Sequence, residues 1–102
     1  MPEFPPGVRV GVAVPAAGHG RRMGGARKPF LELAGEPLLA HALRPFLADD
    51  RVVAVAVAVS ADDVSSARSW VEALDPRIAV VAGGATRSDS VAAAVGRLPE
   101  DL

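Results

Sequence analysis

A chain of 102 residues, 50% of them hydrophobic and 23% charged, has the length and balance of about one globular domain. It contains no cysteine, which excludes disulfide frameworks, thiolate zinc sites and a cysteine nucleophile, and which fits a reducing cytoplasm. Eleven basic residues face twelve acidic ones, a formal net charge of -1, so there is no large positive field for a nucleic-acid backbone and nucleic acid is not an expected partner.

Residues 1–7 carry neither a basic nor an apolar segment of the kind that opens a secretory signal, and read as a short flexible lead. The first element follows at Val8–Val14, rich in β-branched residues and halted by Pro15, which predicts a strand running into a glycine-bearing loop. A helix is expected next, with Pro37 in its first turn, an apolar stripe of Leu38, Leu39, Ala42, Leu43, Phe46 and Leu47, and Pro45 to kink or shorten it. Val52–Val59 interleaves Val with Ala so that both faces are apolar, as in a strand of a parallel sheet covered on both sides. This is also the longest apolar run, too short to cross a bilayer, and no membrane association is expected.

Ser60 followed by Asp63 resembles a capping signal for a second helix, whose apolar face would be Val64, Ala67, Val71 and Leu74 before Asp75-Pro76 stops it. Ile78–Ala82 is a third strand, ended by Gly83-Gly84. Ser88 or Asp89 opens a last helix with Val91, Ala94, Val95 and Leu98 as its apolar face. Strands alternating with helices predict an α/β fold with a parallel sheet, right-handed crossovers and a ligand site at the carboxyl ends of the strands.

The chemistry concentrates in the loop after the first strand, Pro15-Ala16-Ala17-Gly18-His19-Gly20-Arg21-Arg22-Met23-Gly24-Gly25-Ala26-Arg27-Lys28-Pro29. Glycines let backbone N–H groups approach phosphate oxygens, and the four cations supply charge that backbone dipoles cannot, so the loop suits a polyphosphate. A dinucleotide fingerprint fails because Met23 stands where its third glycine is required, and the Gly-Lys-Ser/Thr ending of a P-loop is absent. The bland alternative is a glycine turn with solvated arginines.

The run Pro-Ala-Ala-Gly-x-Gly-x-Arg-Met, then a lysine, then Phe-Leu-Glu-Leu-x-Gly-x-Pro-Leu-Leu, resembles the opening of the sugar-nucleotide-type nucleotidyltransferases. The later segment Gly83-Gly84-Ala85-Thr86-Arg87-Ser88-Asp89-Ser90-Val91 resembles, within them, the 2-C-methyl-D-erythritol 4-phosphate cytidylyltransferase family of non-mevalonate isoprenoid biosynthesis. Together the two motifs cover most of the chain between Val10 and Leu98. The resemblance implies a Rossmann-like three-layer fold of which these 102 residues form one partial domain, the N-terminal, nucleotide-binding half. It further implies CTP and methylerythritol phosphate as substrates, magnesium as cofactor and pyrophosphate as the second product. Arg22 and Lys28 match the family's catalytic cations; Ala16, Ala17, Gly18 and Gly20 match its triphosphate cradle; Gly84, Ala85 and Ser90 match the positions that read cytosine and ribose.

The match departs from the family pattern at Arg27-Lys28-Pro29, where Pro-Lys-Gln is usual, and is one residue shorter after Met23, which makes Arg27 a second candidate for the role of Lys28. The family's metal-binding aspartate and the arm that builds its homodimer are expected beyond Leu102, so no metal ligand is assigned here and the isolated polypeptide is expected to bind CTP weakly without transferring it. Alternatives are a related sugar-nucleotide or molybdopterin-guanylyl type transferase, or a non-catalytic nucleotide-binding fragment. Elsewhere, His19 reads as a loop spacer, His41 as a helix-surface residue, Trp70 as a helix-edge packing residue, and Asp62-Asp63 as a complement to a helix dipole. Asp89 has two readings, ordering the glycine segment or favouring the start of the last helix.

Overall fold

The computed structural model describes residues 8–17, 22–23, 26–27, 32–33 and 35–99. Strand β1 (Val10–Pro15) is followed by two short antiparallel pairs, β2 (Arg22–Met23) with β3 (Ala26–Arg27) and β4 (Glu32–Leu33) with β5 (Glu36–Pro37). Gly35 turns the second pair at φ +83, a left-handed conformation that glycine adopts without a side-chain clash. Helix α1 (Leu38–Leu47), strand β6 (Val52–Val59), helix α2 (Val64–Val71), strand β7 (Ile78–Ala82) and helix α3 (Arg87–Arg97) complete the order, with 3-10 turns at Ala61–Asp63 and Glu72–Leu74 on either side of α2.

The three long strands form a parallel sheet in the order β1-β6-β7. Alternation along β6 sorts its residues by size as well as by face. Val55, Val57 and Val59 join Val10, Val12, Val14, Ile78 and Val80 in a core closed by Leu39 and Leu43 of α1 and Ala67 and Val71 of α2. Ala56 and Ala58 face the other way with Ala13 and Val81, and pack against Ala94 and Leu98. The result is two helices on the bulky face and one on the small-residue face, a three-layer α/β arrangement. No helix among the described residues is long and apolar enough to cross a membrane.

The two outer strands differ at their free edges. On β7, the Val80 N–H donates to Glu72 Oε2 at 2.8 Å, and the Val80 carbonyl accepts from Arg68 Nε and Nη2 at 3.3 and 3.2 Å, so side chains of the α2 region blunt that edge. β1 has no second strand partner among the described residues. Pro15 is tolerated as its last residue because the following Ala16 N–H points inward to the Ala58 carbonyl at 2.7 Å, which leaves the missing donor of Pro15 on the open side.

The amino ends of β6 and β7 are built alike. Before β6, Asp49 accepts from the backbone N–H of Arg51 at 2.9 Å and from its guanidinium at 2.9 and 2.8 Å. Before β7, Asp75 accepts from the Arg77 backbone at 2.8 Å and from its guanidinium at 2.9 Å through both Nε and Nη2. The arginine side-chain hydrogen bonds, then the backbone ones, hold both carboxyls at about 2, below their ordinary 3.8. A carboxyl depressed in the folded state contributes stability above its unfolded value, and that contribution is lost as pH falls through the folded value. Urea midpoints should therefore fall between about pH 4 and pH 2, and the fall should shrink when Asp49 and Asp75 are both replaced by Asn. An undiminished fall in the double variant would assign the acid sensitivity to other groups.

Several local expectations need correction. The first strand starts at Val10 rather than Val8 and takes in Pro15. Pro37 precedes α1 as its cap residue instead of sitting in its first turn, and Ser60 makes no side-chain cap. The last helix is capped by Thr86, two residues before Ser88; of its expected apolar face Ala94 and Leu98 pack on the sheet, joined by Ser90, while Val91 and Val95 are exposed. The alanine-rich underside of the sheet admits a helix through small residues, so the larger valines turn outward. Leu74 is exposed too, because the 3-10 turn after α2 changes the helical phase. Trp70 packs at the margin of the bulky-side core, and His41 stands half-buried on α1 with Nε2 4.0 Å from Glu36 Oε2. The expected lead at residues 1–7 lies outside the described residues.

Candidate functional site at the carboxyl ends of the strands

Both sequence motifs leave the sheet at its carboxyl end, where parallel register brings them side by side. Ala16 continues β1 by its hydrogen bond to the Ala58 carbonyl, and Gly83 continues β7 by donating to the Val59 carbonyl at 2.7 Å. These extensions carry the backbone just past the last sheet pairs, with Ala16 buried and Ala17 half-buried. Helix α3 then starts close by, so its first turn lies against the same end of the sheet.

Gly83 is the point of contact. A Cβ placed on it would lie 2.6 Å from Ala17 Cβ and 2.6 Å from Ser90 Oγ, so the first motif, the glycine pair and α3 meet at a spot with no room for a methyl group. A Cβ on Gly84 would lie 2.2 Å from Asp89 Cβ. Consecutive glycines therefore rest on consecutive residues of α3, and the need for glycine here is close approach.

Ser90 is 1% exposed, and its Oγ has no hydrogen-bond partner among the described residues. A buried hydroxyl without a partner forfeits about 1–3 kcal/mol of hydrogen bonding, which a polar group brought within its reach could recover. The first turn of α3 is held by a reciprocal cap: Thr86 Oγ1 accepts from the Asp89 N–H at 3.0 Å and Asp89 Oδ2 accepts from the Thr86 N–H at 3.3 Å. The helix dipole at this end favours negative charge or an electron-rich oxygen.

Of the candidate residues, Ala16, Ala17, Gly84, Ala85 and Ser90 gather at this end of the sheet, with Ala85 in the bend that leads into α3. Arg22 is in β2, where its backbone pairs with Arg27. Gly18, Gly20 and Lys28 lie outside the described residues. Gly83 and Thr86 were not singled out by the motif reading, although Thr86-x-x-Asp89 carries the spacing of a capping box and could have been recognised as one. Among the described residues no three His, Cys, Asp or Glu side chains could together hold a metal ion.

A family model described as 2-C-methyl-D-erythritol 4-phosphate cytidylyltransferase matches residues 10–101. The chain is similar to proteins of that name from Shewanella amazonensis, 48% identical over 85% of this chain and 37% of the relative, and from Laribacter hongkongensis, 51% identical over 76% and 34%. It is also similar to the one from Solibacter usitatus, 40% identical over 92% of this chain and 43% of the relative. The chain thus spans less than half the length of these relatives.

Proposed function

Because the chain belongs to the 2-C-methyl-D-erythritol 4-phosphate cytidylyltransferase family, we propose that residues 1–102 form the nucleotide-binding part of an enzyme that transfers a cytidylyl group from CTP to methylerythritol phosphate. In that reaction a phosphate oxygen of the acceptor attacks the α-phosphorus of CTP. The bond from that phosphorus to the oxygen bridging the β-phosphate breaks, and pyrophosphate leaves. The acceptor phosphate is itself the nucleophile, so no base from the protein is needed. The observation that carries this reading is the unpartnered Ser90 Oγ at the junction of the two motifs.

On this reading Ala16, Ala17, Gly18 and Gly20 cradle the triphosphate, and Gly84, Ala85 and Ser90 contact the cytidine. Arg22 and Lys28 oppose the negative charge that grows on the equatorial and leaving oxygens, which is where a cation lowers the barrier most. Magnesium would add charge at the phosphates, but the described residues do not by themselves make its site. The homodimer and the cytoplasmic location belong to the same proposal.

Ser90→Ala separates function from folding. Removing an unpartnered buried hydroxyl should leave the urea midpoint unchanged or raise it, while CTP binding weakens by about 1–3 kcal/mol because its polar partner is lost. Calorimetry with CTP, UTP and GTP is the accompanying measurement. CTP should bind tightest; a preference for UTP or GTP would favour a related sugar-nucleotide or guanylyl transferase, and equal CTP affinity in the variant would remove Ser90 from the site.

A further inference from the structure

Resting on the reading of the Ser90 junction as a nucleotide site, we propose that Asp89 is a positioning residue that holds the Gly83-Gly84-Ala85 segment against Ser90. Three contacts converge on it. Its carboxylate accepts from the Thr86 N–H, its own N–H donates to Thr86 Oγ1, and its Cβ is the surface on which Gly84 lies. Ser90, the next residue, turns its buried Oγ to the place where Gly83 would carry a side chain.

The arrangement divides labour between neighbours. The capping box consumes two N–H groups that would otherwise compete for an incoming acceptor, that of Thr86 through the Asp89 carboxylate and that of Asp89 through Thr86 Oγ1, and so ties the loop to the helix at both ends. Ser90 Oγ is left without a partner among the described residues, close against the glycine backbone. Loosening the loop would let that backbone drift from the hydroxyl, and a ligand contacting both would then have to order the loop as it binds. Asp89 touches no ligand in this scheme and acts through the loop alone.

The test compares Asp89→Ala, which keeps the Cβ under Gly84 but removes the acceptor, with Asp89→Asn, which restores an acceptor oxygen. In the unliganded chain, Asp89→Ala should speed Thr86 amide exchange and lower backbone order at Gly84 and Ala85, with Val57 in the central strand unaffected. CTP affinity should fall about tenfold, the scale of a lost cap, and Asp89→Asn should recover most of both effects. Unchanged exchange in Asp89→Ala, or faster exchange with undiminished CTP affinity, would overturn the proposal. Failure of the unaltered chain to bind CTP would instead overturn the nucleotide reading, a result the ligand-free exchange measurement keeps distinct.

Discussion

Replacing Arg77 with alanine should lower the stability of the chain by about 2–4 kcal/mol, read as a shift in the urea midpoint. The guanidinium donates through Nη2 to the Leu47 carbonyl at 2.6 Å, and through Nη1 to the carbonyls of Val52 at 2.9 Å and Asp49 at 3.3 Å, besides pairing with Asp75. It thereby ties the end of α1 to the starts of β6 and β7. Truncation removes this donor from the Leu47 and Val52 carbonyls, while the Asp49 carbonyl keeps the Val52 N–H and Asp75 keeps the backbone N–H of residue 77; each charged hydrogen bond lost from a partly buried site contributes on the order of 1 kcal/mol or more. Arg77→Lys should recover only a fraction, since one ammonium cannot reproduce the planar fork that reaches several acceptors at once. A midpoint within error of wild type for Arg77→Ala would show that the latch contributes nothing net.

The second large effect is expected at Gly83. A methyl group there meets Ala17 Cβ and Ser90 Oγ, each at 2.6 Å, and Ala17 has no rotatable side chain with which to withdraw. Either the end of β1 or the first turn of α3 must move, and overpacking of this kind costs about 1–3 kcal/mol. Gly83→Ala should therefore lose stability and CTP affinity together, unlike Ser90→Ala, which should lose affinity alone. Denaturation and calorimetry on the two variants separate these outcomes. Wild-type behaviour of Gly83→Ala in both assays would contradict the close approach of the two motifs.

Much of the fold was legible because the large sheet obeys simple periodicity. The Val/Ala alternation of Val52–Val59 announced a strand covered on both faces, and it is the central strand. What the pattern could not supply was the depth of each face. Counting hydrophobic side chains selects Val91, Ala94, Val95 and Leu98 as the buried stripe of α3; Ala94 and Leu98 do pack there, but Ala56, Ala58 and Ala13 leave a shallow surface that admits Ser90 and turns Val91 and Val95 outward. The two-residue pairs β2-β3 and β4-β5 were missed, since two residues show no period.

The candidate site was legible to a different degree. Its glycines and cations indicated phosphate chemistry from residue type alone, and the cytidine reading of Ser90 came from resemblance. That Gly83 touches both motifs depends on parallel register between segments more than sixty residues apart, which no local pattern encodes. From the sequence Asp89 has two readings, and its hydrogen bonds and its contact with Gly84 join them: it caps the helix by holding the glycine segment.

The central claim is that the carboxyl-end junction is the nucleotide site, and titrating CTP into the isotope-labelled chain while following backbone amide resonances tests it most directly. The sheet offers a competing location, a groove of about 560 Å3 at the opposite, amino ends of β6 and β7, lined by Val53, Pro76, Arg77, Gly96 and Arg97 among others. The account predicts that Ala16, Ala17, Gly83, Gly84 and Ser90 shift in a saturable manner, while Val53, Arg77 and Gly96 do not. Saturable shifts confined to the amino-end groove, or none at the junction at CTP concentrations that saturate binding, would contradict it.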